Sequence, residues 1–133
     1  MFVDTTFCID LLREGARGNG GPATAKLDSL GNRTLYASVF VVCELHAGAL
    51  MTPHFRRELR RVELLSENLA IVYPDATFPV SYGEIESHLR MHGAPIPTMD
   101  LLIGATAKVH GLPLVTRDTE HYARIPGLVL EPY

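Results

Sequence analysis

The sequence lacks tryptophan, and it contains only two cysteines and two lysines among its 133 residues. Two cysteines cannot build a disulfide framework, and their spacing does not match that of a zinc site. Cys8 and Cys43 both stand among apolar residues, so we expect reduced thiols buried in the core. These absences exclude the disulfide-stapled and zinc-stapled classes of small domain.

Positive charge is also scarce. The chain has 12 Lys and Arg against 15 Asp and Glu, a formal net charge of −3. Because only Lys26 and Lys108 are lysines, nearly all of the positive charge is arginine, whose planar fork suits phosphate. Any binding of nucleic acid must therefore rely on a local basic patch or on bound metal.

Long hydrophobic runs are absent as well. The longest apolar run, 39–43, is far shorter than the ~20 residues of a membrane span. Asp4 and Asp10 interrupt the start of the chain, and no basic region precedes an apolar stretch, so we expect no signal peptide. With 47% hydrophobic residues, the sequence predicts one cytoplasmic domain over residues 1–133 with a core of its own.

Apolar segments of strand length alternate with helical patterns along the chain. The predicted strands are 1–3, 34–37, 69–73, 113–116 and 128–130. The predicted helices are 5–13, 22–30, 38–50, 54–68, 75–93 and 98–107. Strands that are apolar throughout and separated by helices predict a central parallel sheet covered on both faces, an α/β fold with three layers, α/β/α.

Four acidic residues lie in unusually apolar surroundings: Asp4, Glu44, Asp100 and Asp118. Asp4 and Asp118 follow predicted strands, Asp100 begins a helix, and Glu44 lies within one. In a parallel sheet such positions meet beyond the carboxyl ends of the strands, so the four side chains can converge on one crevice. Converging carboxylates need a cation, and their hard oxygen ligands favour Mg²⁺ or Mn²⁺.

Local structure offers simpler explanations for three of these acids. Asp4 can cap the first helix, Asp100 can interact with a helix dipole, and Asp118 can belong to a turn. Glu44, within an apolar helical run, gains nothing from a cap; its simpler explanation is a partner such as Arg or His.

Three segments resemble the PIN-domain ribonucleases, and especially the VapC-type toxins of bacterial toxin–antitoxin systems. They are FVDTTFCIDLL, SVFVVCELHAG and PIPTMDLLIGATAKVHGLPLVTRDTEHYARIPGL. In that family an acid ends the first strand, a second lies in the helix after the second strand, a third opens a late helix and a fourth follows the next strand. These places correspond to Asp4, Glu44, Asp100 and Asp118; Thr6 corresponds to a small polar residue near the first acid.

The resemblance implies a PIN-like sandwich, usually a dimer, that cleaves RNA endonucleolytically with Mg²⁺ or Mn²⁺. It implies Asp4, Asp100 and Asp118 as the main metal ligands, with Glu44 as a ligand or as the group that orients water. Glu120 and His121 stand where some relatives carry a further ligand. The resemblance also implies an antitoxin partner, and we expect its arginine to reach the acidic crevice. Apolar residues on the helices at 22–31 and 54–68 favour a homodimer.

Two other classes of protein remain open at this stage. A receiver domain that accepts a phosphoryl group also combines a small α/β fold with acids and Mg²⁺, but it needs a lysine that neither Lys26 nor Lys108 can supply. A PIN-like scaffold could bind RNA or protein without cleaving. The presence of all four acids argues against that scaffold.

Two charged features allow a functional and a structural interpretation. Arg56, Arg57, Arg60 and Arg61 share one helical face, which can bind RNA or a partner or can be a solvated face paired with Glu58 and Glu63. His88 and His92 are four residues apart but lack the HExxH context of a zinc site, so we expect surface residues.

Overall fold

Five short strands and seven helices alternate in the structure, a computed structural model that describes all of residues 1–133. The strands are β1 (Phe2–Val3), β2 (Tyr36–Ser38), β3 (Ala70–Val72), β4 (Leu114–Thr116) and β5 (Leu130–Pro132). The helices are α1 (Thr5–Arg17), α2 (Pro22–Leu30), α3 (Val39–Leu50), α4 (Phe55–Ser66), α5 (Phe78–Met91), α6 (Thr98–Val109) and α7 (Thr119–Tyr122).

The strands form one parallel sheet in the order β3-β2-β1-β4-β5. After β1, the chain adds β2 and then β3 on one side of the sheet. It then crosses back and places β4, followed by β5, on the other side of β1. Because crossover connections are right-handed, this reversal puts helices on both faces of the sheet. The predicted three-layer α/β/α sandwich with a central parallel sheet is thereby confirmed.

The two central strands carry the core. Phe2, Val3, Leu114 and Val115 are fully buried, because β1 and β4 have a strand on each side and a helical layer on each face. Helix α6 is buried along most of its length, with Leu101 among its fully buried residues. Its small residues allow this close packing. The ends of β1 and β4 are therefore firmly held by the core, and side chains that directly follow these strands have fixed positions.

Several predicted boundaries differ from those in the structure. Helix α1 continues to Arg17 rather than Arg13, and it ends at Gly18, which has a positive φ of 68°; Gly15 is accommodated inside the helix. Helix α5 begins at Phe78 rather than at Asp75. The Asp75 carboxylate accepts the backbone N–H groups of Thr77 and Phe78 at 2.8 and 3.2 Å, and these bonds form a turn just before the helix. Helix α7 was not predicted, since four residues carry too little periodicity.

The prediction that both cysteines are buried is wrong for Cys43. Cys8 is fully buried, whereas Cys43 is exposed on α3. Helix α3 is apolar on nearly every side, so its pattern does not indicate which face meets the core; the structure buries Val41 and Leu45 instead. No helix combines the length and the apolar character that crossing a membrane requires.

Candidate active site

Asp4 occupies the point where the strand order reverses, between the ends of β1 and β4. It is the N-cap of α1, and its Oδ1 accepts the Phe7 backbone N–H at 2.7 Å. Its Oδ2 accepts the hydroxyl of Thr116, the last residue of β4, at 2.5 Å. The capping role considered from the sequence is therefore real, and it also holds the carboxylate in place with only 1% of Asp4 exposed.

The environment of Asp4 favours the protonated acid when no cation is present. Burial raises the pKa of Asp4 to about 6, although the hydrogen bonds from Thr116 and Phe7 act in the opposite direction. The negative charges of Asp118 and Asp100 raise this pKa further. A positive charge at this place would relieve both the burial and the repulsion.

Asp118 and Asp100 meet across the side chain of His121. Asp118 caps α7, and its Oδ2 lies 2.8 Å from His121 Nδ1. The same nitrogen lies 3.2 Å from Oδ2 of Asp100, in the first turn of α6. One potential ligand atom from each of these three residues falls within 4.8 Å of the others, a spacing that one divalent cation could bridge.

Thr116 connects this group to Asp4. Its hydroxyl donates to Asp4 and accepts the Asp118 backbone N–H at 2.9 Å. Asp4 and Asp118 are thus held through one buried threonine. The sequence left open whether Glu120 or His121 joins the acids; in the structure His121 contacts Asp100 and Asp118, whereas Glu120 pairs with Arg124. The Thr116 hydroxyl was not singled out from the sequence.

Glu44 reaches the same region from α3. Its carboxylate accepts the hydroxyl of Thr5, the first residue of α1. Its negative charge contributes to the raised pKa of Asp100, after burial and the repulsion from Asp118. The neighbouring residue Thr6, which the resemblance pointed to, has no side-chain hydrogen bond, so Thr5 makes the contact that links α1 to α3.

The charges of all four acids raise the pKa of one buried phenol, the side chain of Tyr122. Burial is the main cause of the raised pKa of Tyr122, and the charges of all four acids, Asp4, Glu44, Asp100 and Asp118, add to it. None of the four forms an ion pair with an arginine or lysine; His121 is the only ionisable basic partner. Oxygen donors without a compensating cation fit a divalent metal such as Mg²⁺ or Mn²⁺.

The remaining charged candidates lie elsewhere. Arg57 and Arg61 pair with Glu58, and Arg60 with Glu63, as the structural interpretation of this helix expected. Arg61 also donates to the Leu12 carbonyl and so connects α4 to α1.

The two lysines lie away from the acids. Lys26 pairs with Glu131, and Lys108 donates to the Pro126 carbonyl, so neither can serve the acids as a receiver domain requires. His88 and His92 stack on each other at the surface, as predicted.

The fold and site together define a class, namely small parallel α/β proteins with a cluster of carboxylates where the strand order reverses. A family model described as the PIN domain matches residues 1–128. Ribonuclease VapC1 of Haemophilus influenzae strain R2866 is 30% identical over 99 residues, which are 74% of each chain. The chain belongs to the PIN-domain family.

Two further comparisons extend over nearly the whole chain. The tRNA(fMet)-specific endonuclease VapC of Shigella flexneri is 25% identical, over 98% of this chain and 96% of that one. A crystal structure of VapBC2 from Rickettsia felis, bound to a DNA fragment from their promoter, matches with a TM-score of 0.89 at 26% identity. The match covers 99% of this chain and 97% of that one. The predicted resemblance to VapC-type PIN proteins is thus confirmed.

Proposed function

We propose that this chain is a divalent-metal-dependent endoribonuclease, and that it acts in the cytoplasm as the toxin of a type II toxin–antitoxin pair. The observation that carries the proposal is the buried Asp4, joined through Thr116 to Asp118, with Asp100 beside them and no basic ion-pair partner except His121. Such a group is costly without a cation. The relatives of this chain include proteins named as a ribonuclease and as an endonuclease.

Each acid has a role that follows from its position. Asp100 and Asp118 would hold Mg²⁺ or Mn²⁺, because they offer ligand atoms within 4.8 Å of each other. Asp4, held near Asp118 through Thr116, would be the third acidic ligand. Glu44, fixed by the Thr5 hydroxyl, would orient the attacking water. When bound, the cation supplies positive charge that lowers the pKa of water and stabilises the leaving oxygen. The products would carry 5′-phosphate and 3′-hydroxyl ends.

His121 bears on the choice between the two metals. Its Nδ1 lies against both Asp100 and Asp118, so an imidazole nitrogen in an otherwise oxygen-based site could bind a cation in place of these hydrogen bonds. A nitrogen donor is accepted more readily by Mn²⁺ than by Mg²⁺, which prefers oxygen and water. We therefore expect Mn²⁺ to support cleavage at lower concentration than Mg²⁺.

The test is incubation of the purified protein with total RNA in EDTA, in Mg²⁺ and in Mn²⁺, followed by mapping of the fragment ends. Cleavage should require metal, and Asp100→Asn should abolish it while the protein still melts cooperatively. Asp28→Asn, which neutralises an exposed acid on α2, is the matched control and should cut normally.

Two outcomes would reject the proposal. Cleavage in EDTA with cyclic-phosphate ends would indicate histidine chemistry without metal. Binding of RNA without any cleavage in either metal would favour the non-catalytic scaffold.

A partner can be proposed from the pocket next to Glu44. It has a volume of about 220 Å³ and lies among α1, α3 and α4, with Ile9, Leu45 and Val62 in its lining. An amphipathic segment of an antitoxin could bury its apolar residues there. An arginine on that segment could then reach the acids and pair with two carboxylates through its fork.

Growth after induced expression of this chain alone tests the toxin role. Growth arrest should disappear with Asp4→Asn and with co-expression of the neighbouring small gene. Normal growth with a soluble, active enzyme would contradict the toxin role and leave the nuclease activity standing.

A further inference from the structure

A second charged groove lies beside the acids, on the side of the sheet where β5 ends. It has a volume of about 490 Å³, and three arginines, Arg13, Arg17 and Arg117, contribute to its lining together with Asp10 and Tyr133. Arg117 directly precedes Asp118, and α1, which carries Arg13 and Arg17, begins at Asp4. We call the groove that these three residues line the arginine groove.

Asp10 holds the arginine groove in shape. Its carboxylate, only 13% exposed, accepts Arg117 Nη1 at 2.9 Å and the Tyr133 hydroxyl at 3.0 Å, and Arg13 Nη1 lies 3.9 Å away. The side chains of Arg117 and Arg13 nevertheless remain 54% and 63% exposed. Because a guanidinium has five N–H donors, each of these arginines keeps donors that face solvent.

The other acid of the groove, Glu14, forms no ion pair with the three arginines. The Glu14 carboxylate is committed to the start of α2, where it accepts the backbone N–H groups of Ala23 and Thr24 at 3.1 and 2.8 Å. No ion pair involves Arg17. Three arginines against the carboxylates of Asp10 and Glu14 leave one net positive charge in the lining of the groove, in a chain of net charge −3.

The other exposed arginines are less suited to a phosphate backbone. Arg57, Arg60 and Arg90 each pair with a glutamate on their own helix. Two further exposed arginines have no acidic partner: Arg33, whose Nη1 lies near Met1 Sδ ahead of β1, and Arg56, which lies over the Phe55 ring on α4. Arg56 is the main competitor, because Arg33 lies at the end of the sheet opposite to the acids. Arg13 also has an acidic partner on its own helix, Asp10, but at 3.9 Å. Arg13 and Arg17 are one turn apart on α1, a rise of about 6 Å along the helix axis, and they line one groove with Arg117.

An RNA-cleaving site made of acids needs such a groove. A bound cation can neutralise the phosphate that is cut, but the neighbouring phosphates would face the remaining negative charge of the site. We propose that Arg13, Arg17 and Arg117 bind the RNA phosphates next to the scissile bond, so that the strand follows α1 and not α4. This inference rests on the proposed ribonuclease activity.

The experiment measures binding of a fluorescein-labelled, mixed-sequence single-stranded RNA to the Asp100→Asn protein by anisotropy at several KCl concentrations. The double variant Arg13→Gln/Arg17→Gln should bind about tenfold more weakly. Its slope of log affinity against log salt should fall by about 1.4, at ~0.7 for each lost contact to a single strand. Arg117→Lys should keep the slope, while Arg117→Gln should reduce it.

The matched control is Arg56→Gln/Arg60→Gln on α4, which removes the same charge from the other basic helix. It should change the salt slope by less than half as much. In the cleaving protein, the α1 double variant should raise KM with little change in kcat. All four substitutions lie on exposed side chains, so melting temperatures should verify an intact fold.

Equal losses from the α1 and α4 double variants, or no loss from the α1 variant, would overturn the inference. Unchanged RNA binding combined with a weaker response to an antitoxin would assign the groove to a protein partner and overturn it too. A wild-type protein that cleaves RNA, with groove variants that match it, defeats this inference alone. A wild-type protein that neither binds nor cleaves RNA defeats the proposed function as well.

Discussion

Thr116 is the residue on which the arrangement of the acids depends most directly. Its side chain is fully buried. Its single hydroxyl donates to the Asp4 carboxylate and accepts the Asp118 backbone N–H. A buried carboxylate that loses a hydrogen-bond donor retains its desolvation cost without that compensation. The position of the acids therefore depends on a neutral residue.

Thr116→Val should separate this role from that of the acids themselves. The valine keeps the shape but removes the hydroxyl, so the free energy of unfolding should fall by about 1–3 kcal/mol and Mn²⁺ binding should weaken. Urea unfolding and a Mn²⁺ titration would measure the two effects. Thr106→Val, which removes a buried hydroxyl that donates to Leu102 in α6, should leave Mn²⁺ binding unchanged; equal weakening in both variants would contradict the assignment.

Asp4 should make stability depend on pH in an unusual direction. Since its pKa is raised to about 6 in the folded protein, the folded state holds this proton more tightly than the unfolded chain does. In EDTA, this contribution to stability is fully present below about pH 4, the unfolded pKa, and is lost as the pH rises through 6.

Asp4→Asn should isolate that contribution. Asparagine can still cap α1, so the variant should be more stable than the wild type by about 1–3 kcal/mol near pH 7 and should lose that advantage near pH 4. Urea unfolding across this range in EDTA checks the difference, with Asp28→Asn as the flat control. A difference that does not vary with pH would show that Asp4 has an ordinary pKa.

At the scale of elements, the short helix α7 determines where Asp118 and His121 point. It packs on α6 at Gly104, where an added Cβ would lie 2.3 Å from Ile125 Cδ1 and 3.1 Å from Tyr122 Cδ1. Helix α6 also carries Asp100. A glycine within a helix thus permits the close approach that brings two of the acids together.

Gly104→Ala should disturb this contact. The extra methyl group should cost about 1–3 kcal/mol through overpacking, and displacement of α7 should weaken Mn²⁺ binding. Gly83→Ala is the matched control: that position in α5 has nothing within 4 Å of an added Cβ, so alanine should stabilise the helix by about 0.5–1 kcal/mol. Urea unfolding of both variants compares them, and equal stabilisation would contradict the packing argument.

At the scale of the whole molecule, the exposed apolar residues bear on assembly. Leu50, Met51, Phe55 and Leu64 are exposed on or near the ends of α3 and α4. Helix α2, which was also expected to present apolar residues for a homodimer, does not: Ala23 and Leu30 are buried, and Leu27 packs against the core. The argument for a dimer therefore moves to α3 and α4.

A dimer in solution stays a prediction. Sedimentation velocity at micromolar concentration should give a species of twice the chain mass of 14.6 kDa. Met51→Gln/Phe55→Gln should shift that species toward the monomer, because polar residues there remove apolar area from the contact, whereas Met91→Gln on α5 should not. A wild-type monomer at that concentration would contradict the dimer.

The sequence by itself determined the succession of elements and the identity of the four acids. The apolar strands, the caps at Asp4 and Ser38 and the helix stops are local signals, because they depend on residues a few positions apart. An acid next to a buried strand is recognisable for the same reason. The resemblance to the PIN family then added the roles of these acids, which local patterns could not supply.

Only the tertiary structure decided which residues support those acids. The contact of Thr5 with Glu44 and that of Thr116 with Asp4 span 39 and 112 residues of sequence, so no local pattern encodes them. The exposure of Cys43 depended on which face of an apolar helix met the sheet. The arginine groove exists because the order β3-β2-β1-β4-β5 brings Arg117 beside α1. Packing across the sheet makes these choices, since it pairs surfaces that are distant along the chain.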